Sequence, residues 1–265
     1  MKVLLITGSH PRHLYLFDYL RKFYTCSAII MKREKFVQQP VKSFPKKDKD
    51  NFIKHFKDRK FLEFKYFGNK NLKQYKKISS VLISKKKDIN SIKTKNFAKK
   101  FKPDICVVFG SSILDKKFVK ILPNDTINIH LGLSPDYKGS ATLFWPFYFL
   151  QPQFAGATFH KLTQKADSGD ILHQVLPDLK LGDGIHDVAM KVTMKSFIHL
   201  KKLINLKKIK KWKYRKQIKN GKLFFSNDFS VRHLRVIYDL YQNRMVDFYL
   251  KKKIDIKKPK IIKFF

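Results

Sequence analysis

The chain alternates short apolar runs with longer amphipathic stretches. Val3 to Thr7 is an unbroken apolar run ended by Gly8, Ile105 to Phe109 is another ended by Gly110, and Ser27 to Met31 and Val81 to Ser84 read alike. Short continuous apolar runs closed by a glycine are the mark of strands covered on both faces. Between them, helical spacing over 14–23, 50–61, 89–101 and 115–122 predicts helices, with a loop carrying Pro40 and Pro45 ahead of the second. A helix is predicted around Trp145 (142–150), then strands at 156–162 and 171–176. A long helix N-capped by Asp183 reaches about 204. Beyond a basic segment (207–219), "NGKLFFS" predicts a turn into a strand, and 228–250 a final helix. This order predicts an α/β fold: an open, mainly parallel sheet with helices on both faces over residues 1–205, plus a small α/β C-terminal appendage at 206–265.

Composition supports a folded chain. Of 265 residues, 43 % are hydrophobic and 14 % aromatic, enough to bury a core despite the charge. Cys26 and Cys106 stand far apart, which argues against a disulfide framework or a cysteine zinc site. The N-terminal apolar run breaks at Gly8, too early for a signal peptide or a membrane span, so a cytoplasmic protein is expected. The net charge of +38 would draw anionic partners. A compositional bias toward Lys, Phe, Ile and Tyr accounts for the same number with no partner at all.

The run "TINIH", ending in the loop "LGLSPDYKGSAT", carries the first chemical signal. Residues two apart in a strand face the same way, so Asn128 and His130 project together near the strand's carboxyl end. An amide beside an imidazole can stabilise a developing oxyanion and move a proton near neutral pH. The pair is equally consistent with a structural Asn and His at a strand end. A second stretch, "GATFHKLTQKADSGDILHQ", places Asp167 and Asp170 around Ser168-Gly169 between two predicted strands. Both aspartates suit a hairpin turn. Either, turned inward, would orient His130 and raise its pKa by opposite charge.

Together "NIH", "LSPDYKG", "GATFH" and "DSGD", in that order, resemble the formyltransferases that use N10-formyltetrahydrofolate, and "KPDICVVFGSSIL" (102–114) is similar to the family segment leading into its folate pocket. The resemblance covers about residues 1–200. It implies a Rossmann-like catalytic domain and formyl transfer to a primary amine without a metal. Asn128, His130 and Asp167 match the family's catalytic triad. Asn128 and His130 would then hold an oxyanion, and Asp167 would support His130. The resemblance places Phe109, Gly110, Ser111, Ile113 and Leu114, with Thr163 and Asp170, around the folate. His160 matches a family position and is expected to be supporting or structural. Ser134 and Lys138 depart from the family's usual Leu and Arg on the acceptor side, which bears on the substrate more than on the chemistry.

For the acceptor, Ser9, Arg12 and His13 in "GSHPRH" are candidates for contacting a phosphate, although Arg12 suits a solvated loop as well. The tail looks similar to those of sugar N-formyltransferases, which implies a nucleotide-linked amino sugar. A tail of this length is expected to be too short for the β-barrel of the methionyl-tRNA members. Trp212, Tyr214, Phe224 and Phe225 among lysines leave two alternatives open: RNA binding by stacking, in a tRNA-directed enzyme or a non-catalytic module, or a homodimer interface.

Overall fold

The computed structural model describes residues 1–32, 43–217, 221–254 and 256–265; the predicted loop at Pro40 and the end of the basic segment, 218–219, lie outside them. The apolar runs become β1 (Lys2–Thr7), β2 (Thr25–Lys32), β3 (Val81–Lys85), β4 (Ile105–Phe109) and β5 (Thr126–His130), all parallel. Two further strands, β6 (Tyr137–Gly139) and β7 (Ala157–Lys161), follow, and β7 pairs antiparallel with β5 and with β8 (Ile171–Val175). The sheet order is β3-β2-β1-β4-β5-β7-β8, so the winding direction switches between β1 and β4. Open α/β sheets place ligand crevices beside that switch, beyond the carboxyl ends of the strands.

Alternation along the strands explains both covered faces. Val3, Leu5, Val107, Ile127 and Ile129 point into one core with Leu14 and Phe17 of α1 (Pro11–Arg21), joined by Val192, Phe197 and Leu200 of the long helix 185–207. Leu4, Ile6, Cys106 and Val108 face the other way, against Ala98 of α3 (Ile92–Phe101) and Phe118 of α4 (Lys116–Ile121). The helix between β2 and β3, α2 (Lys46–Phe67), is longer at both ends than its predicted core. Phe118, Phe159 and Phe197 are fully buried, each worth about 1.5–3 kcal/mol.

Three predicted helices change. The stretch around Trp145 forms only one turn, α5 (Trp145–Tyr148). The long helix, α6 (Ile185–Lys207), is N-capped by Gly184, not Asp183. Asp183 instead accepts from Lys180 N–H at 2.9 Å and pairs with Lys191 at 2.5 Å, while Asp187 closes on Gly184 N–H at 3.0 Å. The predicted helix at 228–250 is broken: a 3₁₀ turn at Val231–His233, a π turn at Val236–Leu240, then α7 (Met245–Leu250). Gln242 and Asn243 take left-handed conformations, φ 49° and 58°, which no helix tolerates. Asn243 Oδ1 thereby accepts from Ile185 N–H at 3.0 Å and ties the tail to the start of α6.

The tail is built into the molecule. Strand β9 (Lys222–Phe224) pairs in parallel with β6, and Phe224, Val231, Leu234, Ile237 and Val246 share a core with Phe52 of α2 and with Phe144, Trp145 and Phe147. Of the four tail aromatics singled out from the sequence, Trp212 and Phe224 are buried, Tyr214 is half-buried and Phe225 is exposed. Among the described residues no helix is long and apolar enough to cross a membrane.

Candidate active site

Strand β5 puts Ile127 and Ile129 into the core with α6 and turns Asn128 and His130 to the opposite face. His130 is buried and Asn128 half-buried. Next to them on β7 lies buried His160, which faces Asn128 in the register. His160 Nδ1 sits 2.9 Å from Lys161 O. A carbonyl only accepts, so the neutral ring carries its proton on Nδ1, and Nε2 accepts from Asn128 Nδ2 at 3.0 Å.

Asp167 completes the cluster from a loop. The segment after β7 starts beside the other end of β5, where Leu162 N–H donates to Thr126 O at 3.2 Å. It then folds back so that the Asp167 carboxylate lies 3.3 Å from His130 Nδ1 and 3.4 Å from His160 Nε2, with Asn128 Nδ2 donating to Oδ1 at 3.4 Å. Gly139 N–H donates to Oδ2 at 2.9 Å. Asp167 itself is left-handed, φ 48°, a conformation that Asp adopts more readily than most side chains. Gly169 permits the return: a Cβ there would fall 1.8 Å from Lys161 O. Asp170 is exposed, with its backbone O accepting from Lys161 N–H at 2.9 Å.

His130 Nε2 lies 2.8 Å from Tyr137 O, so this nitrogen donates. Both ring nitrogens therefore face acceptors, the carbonyl and the carboxylate. Opposing influences meet at His130. Burial is the dominant influence and lowers the His130 pKa below its usual value. The Asp167 charge and the Tyr137 carbonyl raise it, and His160 lowers it further. The carboxylate acts in the expected direction and is outweighed. For Asp167, burial raises the pKa, but His130 and His160 and the Gly139 N–H together bring it down to about 2. The group is a carboxylate throughout the neutral range.

The loop between β5 and β6 is anchored beneath this cluster. Thr158 Oγ1 donates to Gly132 O at 2.7 Å and accepts from Ser134 N–H at 2.9 Å, and Gln174 Nε2 donates to Ser134 O at 2.6 Å. The Ser134–Pro135 bond is cis. Sequence reasoning passed over Thr158 and Gln174, since their work is to satisfy main-chain groups that only the folded loop brings near.

The remaining candidates fall into separate places. Phe109 and Leu114 are buried, Gly110 and Ser111 half-buried, and Ile113 is 66 % exposed on the loop leaving β4. Thr163 is exposed, within 3.0 Å of Ser168 Oγ in its own loop. On the acceptor side, Ser9 is half-buried at the end of β1. His13 fills the seam at the winding switch. It is buried, edge-on to Phe109 at 4.8 Å, and a Cβ on Gly8 or Gly110 would fall 2.7 or 2.5 Å from its ring. Arg12 is buried and its Nη1 donates to Glu63 of α2 at 2.8 Å, so its charge is committed inside the protein.

The formyl transferase family matches residues 54–201, more than half of the chain and the whole of this cluster. The chain belongs to the formyl transferase family. Among its relatives, the bifunctional polymyxin resistance protein ArnA of Wigglesworthia glossinidia brevipalpis is 36 % identical over 89 residues, 33 % of this chain and 14 % of that protein. The methionyl-tRNA formyltransferase of Borrelia turicatae (strain 91E135) is 32 % identical over 100 residues, 37 % of this chain and 32 % of that one. The chain thus spans no more than about a third of the length of these curated relatives. The sugar 3-N-formyltransferase WlaRD, solved in the presence of dTDP and 5-N-formyl-THF, superposes with a TM-score of 0.58 at 17 % identity. That match covers 96 % of this chain and 81 % of that one, and it shows a shared fold. Most of the tail lies within it, so its path belongs to the same architecture.

Proposed function

We propose that this formyl transferase family member transfers a formyl group from N10-formyltetrahydrofolate to the primary amine of a nucleotide-linked amino sugar, with Asn128, His130 and Asp167 as the working residues. The observation that carries this reading is the meeting of a strand and a distant loop on one face of the sheet, where the Asp167 carboxylate lies 3.4 Å from Asn128 Nδ2 and 3.3 Å from His130 Nδ1. Residues 1–205 would carry the chemistry and 206–265 would support it.

The residues suit such a donor. Ile113 offers exposed apolar surface on the β4 loop, of the kind a pterin face needs, and Asn90 Nδ2 holds that loop by donating to Ile113 O at 3.1 Å. Ser111 and Thr163 would add polar contacts. The folate supplies an activated formyl group. Asn128 presents its amide where negative charge develops on a carbonyl oxygen, and a single such donor is worth about 3 kcal/mol. His130, kept neutral by burial, has an unprotonated Nδ1 facing Asp167 once Nε2–H is given to Tyr137 O. That nitrogen can take the proton an attacking amine must lose, and the resulting imidazolium then donates to Asp167. The carboxylate lowers the cost of that charge without itself becoming protonated.

For the acceptor, the support is the fold shared with a sugar enzyme solved with dTDP, together with the net charge of +38, which favours an anionic substrate. Incubating the protein with N10-formyltetrahydrofolate and a panel of nucleotide-linked amino sugars, with mass spectrometry for the gain of one formyl group, tests it. A methionyl-tRNA arm belongs in the same experiment. Formylation of that tRNA alone would replace the acceptor. Folate binding without formylation of any amine would end the enzymatic reading.

A further inference from the structure

The tail touches the cluster through a residue that no motif includes. Gln217 Nε2 lies 3.0 Å from Asp167 O and 2.6 Å from Gly169 O. Both partners are carbonyls, so the amide donates both of its N–H groups, one to each side of Ser168. Two residues earlier the tail is locked to the start of β8, where Arg215 and Ile171 exchange main-chain hydrogen bonds at 2.8 Å each. Further along, β9 pairs with β6, and Phe224 O accepts from Ser140 N–H at 2.8 Å. β6 supplies both Tyr137 O, which meets His130, and Gly139 N–H, which meets Asp167.

Asp167 is thus gripped twice. Its carboxylate is held by Gly139, on a strand that the tail braces. Its main chain, in a left-handed conformation unfavourable for a non-glycine residue, is held by Gln217. The outer part of the same loop, residues 163–166, is exposed, so little other packing fixes it there.

We propose that Gln217 is a positioning residue for catalysis: by clasping the carbonyls of Asp167 and Gly169, it sets the Asp167 carboxylate against His130. The C-terminal segment is then a working part of the active site. This rests on the reading of Asp167 as the partner of His130 in formyl transfer. A residue that merely fastened the tail would affect stability and leave the imidazole unchanged. A positioning residue alters how His130 titrates, because Asp167 is the acidic side chain facing it, with His160 from β7 and Tyr137 O from β6 as its other neighbours.

The test is Gln217→Met, which keeps length and packing and removes the donor, with Gln217→Ala as a second variant. The His130 imidazole is titrated by NMR in the folded protein, and kcat and KM are measured with N10-formyltetrahydrofolate and the accepted amine. Loosening Asp167 should lower the His130 pKa by about half a unit or more. kcat should fall roughly tenfold to a hundredfold while KM for both substrates stays within about twofold. A folded variant with wild-type His130 titration and wild-type kcat would overturn the proposal. So would loss of folding in both variants, which would make Gln217 purely structural. The titration needs no substrate. An inactive wild type whose His130 still responds to Gln217 would therefore reject formyl transfer and retain the positioning role.

Discussion

Two histidine clusters, each built on a buried imidazole, lie on opposite faces of the same sheet, and they differ in the charges around them. On one face His130 and His160 enclose the Asp167 carboxylate. On the other, His173 of β8 meets His199 of α6 at 2.8 Å, with Phe265 stacked on His173 at 4.5 Å. Phe264 N–H donates to His173 Nδ1 at 3.1 Å, so the proton sits on Nε2 and is given to His199. Burial lowers the pKa in both places. At His173 the next influences are His199, Lys263 and Lys202, which push the same way, down to about 3. At His130 the next influence is Asp167, which pushes back. A buried imidazole with no carboxylate beside it is a neutral hydrogen-bonding element. One that shares its pocket with a carboxylate can accept a proton and hold it. The carboxylate, more than burial, separates a working histidine from a structural one here.

The comparison breaks most sharply at His130 itself. His130→Asn should keep the fold and lower turnover by roughly two to four orders of magnitude in the formylation assay. Near wild-type turnover would put His130 with the structural pair. Asp167→Asn should lower kcat by about a hundredfold or more, with folate affinity near normal and melting within a few degrees. The mutation removes the one influence that opposes burial electrostatically from an acidic side chain, so the His130 pKa should fall further, as NMR titration would show. An unchanged His130 pKa would mean the carboxylate is not what distinguishes the two clusters.

The smallest effect is expected at the structural pair and concerns stability. His173 has a folded pKa depressed below its unfolded value, so the unfolded state binds more protons in between, and stability falls as pH falls. The loss begins near the unfolded value of about 6.5 and runs down to the folded value of about 3. Melting temperatures across that range should decline less steeply in His173→Gln than in wild type. The protection of the Phe264 amide against hydrogen exchange, relative to its intrinsic rate at each pH, should fall on acidification, since protonated Nδ1 no longer accepts. Activity at neutral pH should be untouched in that variant.

Much of the architecture was legible because it depends on local periodicity. The five parallel strands and α1, α3 and α4 lie where apolar runs and helical spacings placed them, and Gly110 closes β4 as its position predicted. Failures came where a side chain served a distant partner. Asp183 looks like a helix cap and is instead held by Lys180 and Lys191. Residues 228–250 have helical composition throughout, but Asn243 leaves the helix to bond Ile185. In the site, the shared face of Asn128 and His130 follows from strand geometry alone. The sign of the His130 shift does not, since burial is a property of the whole fold.

The sequence by itself determined the alternating α/β framework, the direction in which Asn128 and His130 point, and the motif order that marks the formyl transferase family. Each is set by covalent spacing, by the two-residue repeat of a strand, or by residue types in a fixed order, and needs no knowledge of distant contacts. The tertiary structure alone decided how the Asp167 carboxylate reaches both histidines, that Arg12 pairs with Glu63, and that Trp212 and Phe224 are interior. It alone brought Gln217 to the Asp167 loop. These are contacts between segments far apart in the chain. They form because main-chain carbonyls and buried charges must find partners, and which partner is within reach is settled only when the layers have packed.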